Sequence, residues 1–393
     1  MEYLKYLQSL EKFGINLGLD RINFLLQKLG NPQFKFKSIH VAGTNGKGST
    51  CAMMASILKE AGYKVGLYTS PHLFDYAERI KINGKDISKK KISEGIRRVR
   101  KAAEGMREKP TIFETLTAVA FWFFAKEKVD YAVVEVGMGG RLDATNVITP
   151  LVSVITNIDY EHTEVLGKSL SRIAREKAGI IKPGVPVVTT ETKAEPIRVM
   201  KEVAEKNRSI LVVVSSGQAA INSNLIGTHQ KLNAACAVAA MRMAGIKISK
   251  RVIAVGLQKV KWPARFQVIS RKPLTVIDGA HNPAGVKVLR VTIEEIYPNR
   301  KFTLIFGCQK DKDAKKMLKA LKPVSSKIII TRSSHPNAAS PRKLADFSKI
   351  RAEVAESVEN AISRWDKEGP LLVAGSLFIM ADALKYLDAG TKS

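Results

Sequence analysis

The stretch AGTNGKGST, residues 42–50, follows an apolar run containing Ile39 and Val41 and precedes a helical-looking one with Met53, Met54, Ile57 and Leu58. Glycines at 43, 46 and 48 let a backbone turn tightly and point its N–H groups inward. A helix starting there adds its positive end, so the stretch reads as a phosphate loop. Lys47 would bring a mobile positive charge to the β- and γ-phosphates of a nucleotide, and Ser49 or Thr50 a hydroxyl. The spacing differs from the usual G-x-x-x-x-G-K-[ST]: Gly43 stands three residues before Gly46, and Gly48 separates Lys47 from Ser49.

Other residue types could serve the same chemistry. Glu135 closes the apolar run in DYAVVEVGMGGRLDATN and opens a glycine-rich turn. A carboxylate at the carboxyl end of a parallel strand, beside a phosphate loop, is where a nucleotide's metal is held. A surface or helix-capping glutamate is the alternative. His162, in NIDYEHTE, sits among acids after another apolar run. A lone histidine is more often structural, and metal ligation stands beside that reading. In LTVIDGAHNP a strand runs into Asp278, placed as a ribose-binding carboxylate would be, and then into a turn with His281 and Asn282. Lys177, in SLSRIAREKAGIIKPG, reads from the residues alone as one more exposed helical lysine.

The elements that must position these residues alternate along the chain. SIHVAG, KVGLYT, DYAVVEVG, LVSVITN, VPVVTT and ILVVVSS read as strands, with helices predicted over 49–61, 88–105, 113–127, 169–178, 194–206 and 229–244. Val/Ile runs without polar alternation suit parallel strands covered on both faces, which makes this an α/β protein. Gly217 and the NSN at 222–224 suggest turns. After QKVKWPARF the pattern restarts with LTVIDGA, KFTLIFG, KIIITR and PLLVAGS, each followed by a helix. Two domains are therefore expected, 1–265 and 266–393.

The 393 residues hold no apolar run long enough for a membrane span and no secretion signal at the N-terminus. Cys51, Cys236 and Cys308 form no CxxC pair, which fits a reducing cytoplasm. The net charge of +28 admits a nucleic-acid partner, but SKKKISEGIRRVRKAAEG carries no interleaved aromatics and reads as the wet face of a helix. No nucleic acid and no membrane are expected as partners.

The loop spacing resembles that of the Mur ligase superfamily, and GTNGKGS is similar to the loop of its folylpolyglutamate and dihydrofolate synthases. The likeness continues in order through YTSPHL (68–73), ERIKINGKDI (78–87), TIFETLTAVAF (111–121), EVGMGGRLDATN (135–146), ITNIDYEHTEVLG (155–167) and IAREKAGIIKPG (173–184). It runs on through GTHQKLNAACAVAA (227–240), WPARF (262–266), DGAHNP (278–283) and VAGSLF (373–378). The resemblance implies a phosphate-loop domain with a mostly parallel sheet and a smaller Rossmann-like C-terminal domain that binds glutamate. It implies ATP-dependent addition of L-glutamate to a folate or dihydropteroate carboxylate through an acyl phosphate, by a monomer. A Mur-type ligase for a related pterin and a nucleic-acid-dependent NTPase are the competing readings. A peptidoglycan ligase of the same superfamily would carry a further N-terminal domain, for which the residues before Gly43 are too few.

Residue by residue, the resemblance assigns ATP contacts to Gly43, Thr44, Asn45, Gly46, Lys47, Gly48, Ser49, Asn233, Arg265 and Asp278. It places Ser70, Pro71, His72, Thr111, Phe113 and Asp143 on the pterin side, and His281 and Ser376 on the glutamate side. Ser70, Glu135, His162 and a carbamylated Lys177 are implied as ligands of two Mg²⁺ ions; Lys47, Lys177 and His281 are the implied catalytic set. SSGQAAINSNLIGTHQ is shorter than the matching segment of that family, which leaves the shape of a small subdomain open.

Overall fold

Strand β1 (Lys37–Ala42) is buried from its second residue onward, as a strand must be when helices cover both faces of its sheet. In the computed structural model, which describes residues 2–215, 222–348 and 350–389, β1 lies inside an eight-stranded sheet. Its partners are β2 (Val65–Tyr68), β3 (Ile80–Ile82), β4 (Lys85–Asp86), β5 (Tyr131–Glu135), β6 (Val152–Ile155), β7 (Val187–Thr189) and β8 (Leu211–Val213). The order is β4-β3-β2-β5-β1-β6-β7-β8, parallel from β2 to β8, with β3 and β4 added as an antiparallel hairpin. Gly217 lies outside the described residues.

This order reverses at β1. The chain reaches β5 on one side of it and then β6 on the other, so the carboxyl ends of β5, β1 and β6 frame a crevice, the usual ligand position in open α/β sheets. The helix Ile112–Lys126 covers one face with Leu116, Phe121 and Phe124 fully buried. Its start is a reciprocal capping box: the Thr111 hydroxyl accepts from Glu114 N–H, and Glu114 accepts from Thr111 N–H.

The chain divides into two units, Met1–Asn224 with Gln230–Val260, and Leu225–His229 with Lys261–Ser393. The second unit holds its own sheet of β9 (Gln267–Arg271), β10 (Leu274–Asp278), β11 (Phe302–Phe306), β12 (Ser325–Ile330), β13 (Glu353–Val354) and β14 (Leu371–Ala374). The order is β13-β12-β11-β14-β10-β9, parallel except for β9. Four of these strands match the apolar runs of the sequence. The half-buried β9 and the two-residue β13 do not announce themselves, because neither buries both faces.

Candidate functional site

The phosphate loop is held from two sides within the first unit. Thr44 N–H donates to the Asn157 carbonyl (2.8 Å) and Asn45 N–H to Asn157 Oδ1 (2.8 Å). The Thr156 hydroxyl donates to the Asn45 carbonyl (2.6 Å). Asn157, inside a quoted motif but assigned no role there, is thus a second-strand brace for the loop. Gly43 (φ 145°) and Gly46 (φ 85°) are glycines for conformation and for space. A methyl on Gly43 would lie 1.9 Å from Thr156 Oγ1, and one on Gly46 2.7 Å from Asn233 Oδ1. Asn233 therefore does stand against the loop. Lys47 Nζ folds back onto the carbonyls of Gly43 and Thr44, each at 3.1 Å. Ser49 meets Gln230 Nε2 at 3.4 Å, whereas the neighbouring Thr50 hydroxyl is buried with no partner.

Glu135 ends β5 beside this loop, in register with Val41 of β1. One of its carboxylate oxygens accepts the Ser70 backbone N–H at 3.0 Å, which ties the Ser70 segment to the end of β5. His162 has left-handed backbone (φ 50°) and starts the short helix Thr163–Leu166, with its carbonyl capped by Val165 and Leu166 N–H. Among the described residues, no group of three or more His, Cys, Asp or Glu side chains is placed to hold a metal ion. The donors present are hard oxygens, which suits a Mg²⁺-type ion completed by water and nucleotide.

Lys177 corrects the reading made from its residues alone. It is 2% exposed, not a solvated helical lysine. In the helix Leu170–Ala178 it falls with Ile173, Ala174 and Ala178 on the buried stripe, a spacing the sequence already carried. Its Nζ donates to the Gly43 carbonyl at 2.7 Å. Burial first, and then the nearby Lys47 charge, bring its pKa down to about 7, against the opposing pull of Glu161 and Asp143.

The turn after Glu135 docks on the end of that helix. Arg141 N–H donates to the Glu176 carbonyl (2.7 Å), and Asn146 Nδ2 bridges the carbonyls of Arg141 and Gly179. Asp143 is buried; it accepts Met138 N–H (2.9 Å) on one oxygen and Thr145 N–H and hydroxyl on the other. Phe113 crowds the same turn: a methyl on Gly137 would be 2.5 Å from the tip of its ring. His72 accepts from Arg79 Nε at 3.0 Å and packs on Tyr76. Pro71 is exposed beside it. Arg21, which no sequence motif singled out, pairs with buried Glu114 at 3.0 Å and holds the segment before the helix Asp20–Lys28 against this wall.

In the second unit, Asp278 ends β10 and accepts Phe266 N–H (2.7 Å) and Ala280 N–H (2.8 Å). Arg265 stands between Ala264 and Phe266, both in left-handed backbone (φ 57° and 40°), so the backbone strain flanks the arginine on both sides. Asp278 is in register with Ala374 on β14, so His281 and Ser376 follow the carboxyl ends of adjacent parallel strands. His281 Nδ1 lies 2.9 Å from the Gly279 carbonyl, and Ser376 is buried with its hydroxyl accepting Phe378 N–H.

A glycine-rich loop at a sheet's switch point, with a strand-end glutamate and a buried lysine against it, defines a phosphate-loop nucleotide enzyme. Family comparison resolves which one. Residues 41–186 match the Mur ligase middle domain and residues 264–377 the Mur ligase glutamate ligase domain. The chain is 36% identical to the dihydrofolate synthase/folylpolyglutamate synthase of Bacillus subtilis, over 96% of each protein. Escherichia coli FolC, solved in complex with DHPP and ADP, superposes with a TM-score of 0.90 at 30% identity, covering 99% of this chain and 98% of that one. A bifunctional folylpolyglutamate synthase/dihydrofolate synthase with Mn, AMPPNP and L-glutamate bound gives 0.89 at 29% identity, covering 98% of both chains. The chain belongs to the Mur ligase family, in its folylpolyglutamate/dihydrofolate synthase branch, and is an ATP-dependent glutamate ligase.

Proposed function

We propose that the protein joins L-glutamate to the carboxylate of a dihydropteroate or folate, with ATP and two divalent ions, Lys177 acting as a carbamate. The observation that carries this is the meeting of Lys177, the Gly43 carbonyl and the phosphate loop beside the Ser70–Glu135 pair. The substrate carboxylate attacks the γ-phosphate, giving an acyl phosphate and ADP; the amine of glutamate then displaces phosphate. Bound Mg²⁺ would supply hard positive charge to the phosphoryl oxygens. Lys47, released from the loop carbonyls, turns its ammonium to the phosphates, and the Gly46–Ser49 backbone fixes their position. Ser70 and Glu135 are the oxygen ligands, with His162 from the segment after β6.

For Lys177 the chemistry follows from burial. A lysine near neutral pKa keeps a free amine, whose nitrogen attacks CO₂ and loses a proton to give a carbamate anion. That replaces a charge repelled by the metals with an oxygen ligand. Thr111, Phe113 and Asp143 are the pterin-side wall, His281 and Ser376 the glutamate side, and Asn233, Arg265 and Asp278 the remaining ATP contacts. The free buried cysteines Cys51, Cys236 and Cys308 accord with a reducing, cytoplasmic setting. No helix among the described residues is long and apolar enough to cross a membrane.

The test is ADP release by purified protein with L-glutamate, offering dihydropteroate and tetrahydrofolate separately, with mass spectrometry of the pterin. Added glutamyl units on either acceptor support the reading. ADP release that needs nucleic acid and leaves both pterins unchanged would refute it.

A further inference from the structure

β1 carries one residue out of keeping with its neighbours. His40 sits between Ile39 and Val41, wholly buried in a strand paired on both sides. An imidazole there is costly unless it is hydrogen-bonded. Its Nε2 lies 2.8 Å from Thr145 Oγ1, and Thr145 Oγ1 lies 2.5 Å from Asp143 Oδ1. The three side chains make one buried line from the sheet to the turn after Glu135.

Proton placement along that line is decided by the groups around it. Burial raises the pKa of Asp143, and the N–H donors from Met138 and Thr145 oppose that rise by favouring its anionic form. The single Thr145 proton then goes to Asp143, so the bond from His40 must supply a proton of its own, from Nε2. The reverse arrangement would leave a protonated Nδ1 buried without an acceptor, since Nδ1 has no partner. Burial, and then the Lys182 charge, hold the imidazole neutral by pulling its pKa to about 3.

We infer that His40 is a positioning residue for substrate recognition: its Nε2–H commits the Thr145 hydroxyl to Asp143 and so presents Asp143 as a fixed acceptor for N–H donors on the acceptor substrate's ring. This rests on the reading of Asp143 as a pterin contact. The role is read separately from that of the phosphate loop at the end of the same strand, because the hydrogen bonds join His40, Thr145 and Asp143 to one another.

Two measurements test it. In ¹⁵N–¹H spectra of the intact protein, His40 should be the Nε2–H tautomer and neutral through the mildly acidic range; an Nδ1–H tautomer overturns the inference whatever Asp143 does. In steady-state kinetics, His40→Leu and Thr145→Val should each raise KM for the pterin about tenfold, the scale of one hydrogen bond to a charged group, with KM for ATP little changed. The double variant should be no worse than either alone, and His40→Gln, which returns an N–H donor, should recover most of the loss. Additive losses, or His40→Leu with the parental pterin KM, overturn it. Asp143→Asn separates the two readings: an unchanged pterin KM there removes Asp143 as a contact even if the tautomer is as inferred.

Discussion

Lys177 shows how far one side chain's environment can change its chemistry. On the helix surface it would be an ammonium; burial against the Gly43 carbonyl brings its pKa down to about 7, so the free amine is well populated at physiological pH. Lys177→Ala should lower turnover by at least about a hundredfold, as loss of a group acting mainly in the transition state does. A short added carboxylate should restore part of the rate. With ¹³CO₂, the parental protein should show a carbamate carbon signal that the variant lacks, a readout independent of turnover. His40 makes a second prediction, on stability. Its folded pKa of about 3 lies below the ordinary 6.5, so between those values the unfolded chain binds a proton that the folded one does not. Stability is therefore lost as pH falls through that window, by up to about 1.4 kcal/mol per pH unit from this group. Denaturation midpoints from about pH 6.5 down to pH 4 should fall more steeply for the parental protein than for His40→Gln.

At the scale of elements, the site depends on how the turn after β5 seats on the helix Leu170–Ala178. Gly179, at the end of that helix, has ordinary helical backbone (φ −61°), so conformation does not demand glycine there. Space does: an added methyl would lie 2.6 Å from Arg141 Cα. Gly179→Ala should cost roughly 2–3 kcal/mol and raise KM for substrates on both sides of the turn, measured by urea denaturation and kinetics. What the sequence revealed follows the same physics. β1, β5, β6 and β10 were legible because strands buried on both faces leave unbroken apolar runs. The β3–β4 hairpin and β9 were not, being short or half-buried edges whose pairing is decided by neighbours distant in sequence. Lys177 and His40 were misjudged or passed over for one reason: each is a polar residue on an otherwise apolar pattern, a signal that needs a three-dimensional partner to interpret. The loop glycines and Glu135 were legible because their spacing itself encodes a turn and a strand end.

For the whole molecule, the outstanding quantity is the charge of +28. The helix Lys89–Ala102 concentrates part of it, beginning with three consecutive lysines. They are not equivalent. Lys91 is tied to Glu127 and lies over the Phe123 ring, whereas Lys89 and Lys90 are exposed. Two turns further along the helix, Arg98 shares Glu94 with Lys126 and both pack on Trp122, so those cations also serve the surface of the core. If Lys89 and Lys90 are only solvated charge, reversing both to Glu leaves kcat and KM for ATP, glutamate and pterin unchanged at physiological salt, where screening acts over about 8 Å. The same reversal places acids in the first turn of a helix whose positive end now meets lysines, so the double variant should be more stable by about 0.5–1 kcal/mol. Both parts are read from one preparation, by steady-state kinetics and by the thermal midpoint. A rise in KM confined to substrates with long glutamate tails would show instead that this face binds the growing polyanion. A fall in midpoint would show that Lys89 or Lys90 holds a contact the fold needs.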